Sequence, residues 1–290
     1  MCDRKVMKMK LKFLGTAAAT SMPLVFCNCN TCKQGRINKG KDIRKRSSVI
    51  INDEMIIDLS PDITSSAVMY DVDLGNIKYL IQTHSHTDHF DAGHFVTRWS
   101  EYKSENLTHM NIICSKGTCD DMNHWIKENE PSIDIYSDTF KKDMNYDLHI
   151  LKHGDKVKLD NYEIIALDSK HDIRIESLIY IISYRNKNIL YGTDLLELSS
   201  EAWNIINDYK LDLVILDQTY GKECNSGGHL NVDNIVNIIN IMRKENIINS
   251  NTKVYATHLS HEGNSIHEET ERLANLNGYN IAYDGLQISL

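Results

Sequence analysis

Residues 78–89 read Lys78-Tyr79-Leu80-Ile81-Gln82-Thr83-His84-Ser85-His86-Thr87-Asp88-His89. Lys78 to Gln82 is a short apolar run of strand length. It leads directly into four metal-type donors in the order His-x-His-x-Asp-His. Buried without partners, such polar groups would cost roughly 1–3 kcal/mol each. A strand that opens into a loop lets them converge on a cleft instead. Imidazole and carboxylate together suit zinc, manganese or iron. Neutral His and ionised Asp bind metal near pH 7 without unusual pKa values.

The surrounding chain supplies more strand ends. The chain has 290 residues with 41% hydrophobic and 25% charged residues, ordinary for a globular protein. Its three prolines (Pro23, Pro61, Pro131) mark no linker, so one domain over residues 1–290 is expected. No apolar stretch approaches the roughly 18 residues of a membrane span. The basic start lacks an apolar h-region, so the expected location is the cytoplasm. Strand signals fall at 10–14, 48–51, 55–58, 78–82, 111–114, 148–151, 162–167, 178–183, 188–191, 211–216, 253–256, 280–283 and 286–289. The pair 48–51 and 55–58 reads as a hairpin around Asn52-Asp53. Helical patterns fall at 118–129, 200–209, 232–244 and 265–275, the third with an Asn231 cap. Strand runs and helices in two similar halves suit two sheets face to face with helices outside, an α/β or α+β single domain.

His84-x-His86-x-Asp88-His89 resembles the metal-binding motif of the metallo-β-lactamase superfamily. The resemblance implies a four-layer αβ/βα sandwich with metals at one edge of the sheets. It also calls for a later lone His, then an Asp, then a final His, each past a strand end. His171 follows strand 162–167, Asp194 follows 188–191 and His258 follows 253–256. The resemblance implies that His84, His86 and His171 hold one metal. It assigns Asp88, His89 and His258 to the other, with Asp194 bridging.

Seven cysteines in a chain without an export signal make a poor disulfide framework. Cys27, Cys29 and Cys32 crowd into six residues, whereas Cys2, Cys114, Cys119 and Cys224 look isolated. Three thiolates need a fourth ligand to close a tetrahedral zinc site. His261, three residues after His258, is the candidate. This combination is similar to the PhnP-type phosphodiesterases, which share the Cys-x-Cys-x₂-Cys loop and the terminal Thr257-His258-x-x-His261. The segment 93–99 also resembles that group, and His229 stands where it places a further active-site His. A related loop occurs in PqqB-like biosynthesis proteins, so the loop, inserted at about 27–46, marks a branch and not a substrate.

The resemblance implies two catalytic divalent ions (zinc or manganese, with iron as a further option) and one structural zinc. It implies attack of a metal-bridging hydroxide on a small or cyclic phosphodiester, with Asp88 orienting the hydroxide and His229 assisting the leaving oxygen. Three readings compete: an RNA-processing nuclease, a thioester or lactone hydrolase, and a non-catalytic accessory protein. The nuclease reading lacks its Gly/Pro-rich arm, and a net charge of −8 repels a polyanion, so nucleic acid is not the expected partner. A small phosphorylated substrate is, with a homodimer as a further expectation. Redox diiron chemistry is disfavoured because His86 stands where Glu is typical. The run Lys33–Arg46 holds seven basic residues against the single acid Asp42. It reads either as a solvated loop or as a phosphate contact.

Overall fold

The computed structural model describes residues 8–222, 224 and 227–290. Cys2 lies outside the described residues. The first half of the chain contributes β1 (Lys10–Gly15), β2 (Ser48–Ile51), β3 (Met55–Ile57), β4 (Tyr79–Ile81), β5 (Met110–Cys114) and β6 (Tyr146–Ile150). The second contributes β7 (Lys156–Leu159), β8 (Tyr162–Asp168), β9 (Leu178–Tyr184), β10 (Lys187–Gly192), β11 (Leu213–Asp217), β12 (Lys253–Thr257), β13 (Asn280–Ile281) and β14 (Gln287–Ser289). They form two seven-stranded sheets, ordered β14-β1-β2-β3-β4-β5-β6 and β13-β12-β11-β10-β9-β8-β7. The last strand thus crosses back to close the edge of the first sheet.

Helices cover the outer faces. They are α1 (Asn30–Asn38), α2 (Ile63–Met69), α3 (Ala92–Val96), α4 (Lys116–Asn129), α5 (Asp138–Asp143), α6 (Ser200–Asn207), α7 (Val232–Lys244) and α8 (His267–Leu276). Side-chain alternation along each strand builds three apolar layers. Val49, Ile57, Ile164 and Ile182 pack between the sheets. Ile50, Ile56 and Leu80 face outward onto Ile63, Phe95 and Met122. Ile165, Ile181 and Val214 face outward onto Ile206, Ile235 and Ile239. The result is the expected four-layer αβ/βα sandwich. No helix among the described residues is long and apolar enough to cross a membrane.

The 48–57 hairpin turns through Asn52 and Asp53, both left-handed at φ 53° and 58°. Helix α7 spans the expected residues because Asn231 and Asn234 form a reciprocal capping box. Four short helices and β7 were not expected. Helix α1 is the instructive case. Only Cys32 and Gly35 are buried on it, so it has no apolar stripe to read. Its start is set by the Cys29 thiol, which accepts the Cys32 N–H. Cys114 and Cys119 are both buried, and the neighbouring Cys119 thiol together with burial pushes the Cys114 thiol well up.

The end of the basic run is tied into the fold. Arg44 is 2% exposed. Its guanidinium donates to Thr16 Oγ1 (2.8 Å) and the Ala282 carbonyl (2.5 Å) and meets His267 Nδ1 at 2.9 Å. Burial lowers its pKa to about 10 against the pull of Asp284 and Asp42, so it stays charged at neutral pH. Arg46 is clamped by both oxygens of Asp62 at 2.8 Å, and Lys45 pairs with Asp284 at 3.4 Å. These cations are internal ties. Removing one partner of a buried charged network costs about 3–5 kcal/mol. Arg44→Ala is therefore expected to lose stability of that order in urea unfolding, and a loss below about 1 kcal/mol would contradict the assignment.

Candidate metal centre

All donors lie just past the carboxyl ends of neighbouring strands. β3 and β4 run parallel with Ile57 opposite Ile81, which puts Asp58 beside Gln82 and the motif that follows. β10, β11 and β12 are also parallel, with Gly192 opposite Leu216 and Asp217 opposite Thr257. Asp194, Asp217 and His258 therefore emerge at one level. β8 delivers His171 to the same edge. Asp58, Asp194 and His258 adopt left-handed backbone, φ 65°, 51° and 59°. Non-glycine residues held there cost on the order of 1–3 kcal/mol each, a strain that clusters at functional sites.

Two donor sets meet on Asp194. Its Oδ1 lies 3.3 Å from His171 Nε2 and 3.8 Å from His84 Nε2, and His86 Nδ1 is 3.3 Å from His171 Nε2. Its Oδ2 lies 2.8 Å from His89 Nε2 and 3.0 Å from His258 Nε2. Asp88 Oδ2 completes this side, 3.1 Å from His89 and 3.7 Å from His258. Four donors about 2.0–2.1 Å from an ion stand about 3.3 Å apart in a tetrahedron. The separations quoted, 2.8–3.8 Å, bracket that spacing.

The remaining ring nitrogens are held by residues that sequence reasoning missed. Thr83 Oγ1 lies 3.0 Å from His84 Nδ1, and Asp58 Oδ2 lies 2.7 Å from His89 Nδ1. Thr219 Oγ1 lies 2.8 Å from His258 Nδ1, and the Gly228 carbonyl lies 2.7 Å from His171 Nδ1. Gln82 donates to Asp58 and to the His84 and His89 carbonyls, pinning the motif backbone. Asp217 lies 2.9 Å from His229 Nδ1 and 3.4 Å from His258 Nδ1, and accepts the Asp194 N–H. It approaches the Nδ1 side of both rings, so it orients them and is not itself in the donor set. Partners of this kind fix each ring's tautomer and angle. The rule that located His171, Asp194 and His258, a polar residue ending an apolar strand, also fits Asp58 and Asp217.

Electrostatics favour cations here. Burial, then His89 and His86, hold His84 well below the usual imidazole range, so its Nε2 keeps a lone pair. That atom is buried with no hydrogen-bond partner among the described residues. Burial opposes protonation of His89 and His258, yet Asp194 and its neighbouring carboxylates overcome it, holding His258 at about 10. Asp88 and Asp194 stay well below the carboxylate range despite burial, because the facing histidines outweigh it. Divalent ions would supply the same positive charge and displace those protons.

Cys27, Cys29, Cys32 and His261 form a separate group, all donor atoms within 4.8 Å. His261 Nδ1 lies 3.6 Å from Cys27 Sγ and 3.5 Å from Cys29 Sγ. With zinc–sulfur bonds of about 2.3 Å, tetrahedral edges of about this length follow. Only Leu259 and Ser260 separate His261 from His258. Leu259 is held by backbone bonds to Thr16 and Ala18, and Thr31 Oγ1 donates to the Asn264 carbonyl at 3.2 Å, which ties the start of α1 to the segment after β12. The structure thus brings together each expected site residue, and His229 joins them 3.9 Å from Asp194.

A family model described as the beta-lactamase superfamily domain matches residues 54–258. No curated protein matches the chain in sequence. Among solved structures it is similar to a diphosphatase from the PhnP family, with 21% identity, 98% of both chains covered and a TM-score of 0.72. It is also similar to zinc-bound PqqB from Methylobacterium extorquens (14%, 97% and 100% covered, 0.66). Human tRNase Z, short form, is a third (16%, 97% and 98% covered, 0.63). At these identities the likeness speaks for the fold. Loss of an orienting group costs about 10–100-fold in metal affinity. Asp58→Asn is expected to weaken one metal by that factor in competition titrations, and an unchanged affinity would rule out the orienting role.

Proposed function

This chain belongs to the beta-lactamase superfamily, and from that premise we propose that it is a dinuclear metal-dependent hydrolase of small phosphodiesters. The observation that carries the reading is Asp194, whose two oxygens face two different donor sets at 2.8–3.8 Å. His84, His86 and His171 would hold one divalent ion, and Asp88, His89 and His258 the other, with Asp194 shared. Bound there, such ions supply Lewis acidity toward a phosphoryl oxygen and lower the pKa of water toward neutrality.

The chain's own groups divide the remaining work. Asp88 is positioned to orient the attacking oxygen as well as to bind. His229 is fixed through Nδ1 by Asp217, which leaves Nε2 for the leaving oxygen. Burial opposes the charged ring, but Asp217 more than offsets it and raises the His229 pKa, as a proton donor near neutral pH needs. Chemistry at phosphorus is in keeping with the likeness to a PhnP-family diphosphatase, and the diester preference is this reading's own. The cysteine group would hold a structural zinc that braces the His258 strand end.

Two measurements check this. Metal analysis is expected to give three metals per chain, two released by a chelator and one retained; one metal or none would contradict the site assignment. Bis(p-nitrophenyl) phosphate should be hydrolysed by the metal-loaded protein. Asp88→Ala should lower that rate by at least about 100-fold, more than loss of an orienting group does. Full activity in that variant at normal metal load would remove Asp88 from the mechanism. A wild-type protein with both ions bound and no activity on any phosphodiester would favour an accessory role.

A further inference from the structure

Four of the five imidazoles at the sheet edge have a partner on the nitrogen turned away from the donor set. Thr83, Asp58, Thr219 and the Gly228 carbonyl hold His84, His89, His258 and His171 in this way. His86 is the exception. It faces His171 through Nδ1, and its Nε2 has no hydrogen-bond partner among the described residues. Asp172 Oδ2, at 3.8 Å, stands too far away to accept from it. The direction of His86 must therefore be set through its backbone.

The residue between His84 and His86 supplies that hold. Ser85 is 2% exposed, and its hydroxyl donates to Asp121 Oδ2 on α4 at 2.5 Å. A hydroxyl on an ionised carboxylate makes bonds of this length, roughly twice as strong as neutral ones. Among the described residues the Asp121 carboxylate accepts from Ser85 alone and pairs with no cation. The lysines of α4 are engaged elsewhere, Lys116 with Asp120 and Lys127 with Asp134. Four residues on from Asp121, on the same face of the helix, Trp125 stacks on Phe90 with ring centroids 6.3 Å apart. Phe90 directly follows His89, so one face of α4 meets both ends of the motif. The start of α4 holds the facing segment. Glu176 Oε2 accepts the Gly117 N–H at 2.7 Å, and the Glu176 carbonyl accepts Thr118 Oγ1 at 3.1 Å. Glu176 belongs to the connection between β8 and β9 that carries His171. Helix α4 thus braces both chain segments that supply His84, His86 and His171.

We propose, resting on the two-ion reading of the site, that Asp121 is a positioning residue for the ion held by His84, His86 and His171, and that it acts through Ser85. The test is titration of the zinc-loaded protein against a competing chelator. Asp121→Ala is expected to weaken one of the two exchangeable ions by about 10–100-fold, the cost of losing an orienting group, and to leave the other within about threefold. Asp121→Asn keeps an acceptor oxygen for Ser85 and should restore most of the lost affinity. Ser85→Ala should match Asp121→Ala, and the double variant should be no weaker than either. Anomalous diffraction from Asp121→Ala at limiting zinc should show the ion among Asp88, His89 and His258, with the peak among His84, His86 and His171 depleted. Equal weakening of both ions, additive losses in the double variant, or depletion of the other peak would overturn the assignment. So would an unchanged titration in Ser85→Ala, which tests the same contact if Asp121→Ala does not fold. A wild-type protein with fewer than two exchangeable ions would overturn the two-ion reading itself, and this role with it. Two such ions in the wild type and no change in the variants would overturn the role of Asp121 alone.

Discussion

Four carboxylates, Asp58, Asp88, Asp194 and Asp217, are buried together at one edge of two sheets. Negative charge out of water is costly unless positive charge faces it. Here the facing groups are imidazoles, and the same geometry would suit divalent ions in place of their protons. Much of the local structure answers to that constraint. The parallel register of β10, β11 and β12 brings Asp194, Asp217 and His258 to one level. The left-handed backbone at Asp58, Asp194 and His258 turns each chain segment sharply at its strand end. The hydroxyls of Thr83 and Thr219 settle which ring nitrogen points inward.

The two halves of the molecule are linked through this edge. The motif after β4 belongs to the first sheet, and His171, Asp194 and His258 belong to the second. Apolar packing between the sheets sets their separation. His261 of the cysteine group sits one short step beyond His258, and Leu259 between them is bonded to residues 16 and 18. Arg44 and Arg46 then anchor the segment that follows α1, one in the interior and one on Asp62. A basic run that reads as a solvated loop or a phosphate contact has, at its end, three cations paired within the fold.

What could be read in advance follows a physical pattern. The motif at 84–89 was legible because four donors fall close together after an apolar strand. His171, Asp194 and His258 were legible because each polar residue ends an apolar run. Asp58 and Asp217 obey the same rule, but a lone Asp closing a strand also reads as an ordinary turn. Gln82 and Thr83 act through contacts made only once separate strands are side by side. Helix α1 was hidden for another reason. Its cap is a thiol and its buried face is two residues wide, so neither periodicity nor a usual cap marks it. The burial of Arg44 depends on Thr16, His267 and Ala282, residues remote in the chain.

The central claim is that Asp194 is shared between two ions. Anomalous diffraction from crystals of the metal-loaded protein tests it most directly. The account predicts two peaks about 3.5–4 Å apart, the spacing of two-metal hydrolytic sites, one on each oxygen of Asp194. A third peak is predicted among Cys27, Cys29, Cys32 and His261. A single peak at the sheet edge, or two peaks with Asp194 bound to one alone, would contradict it.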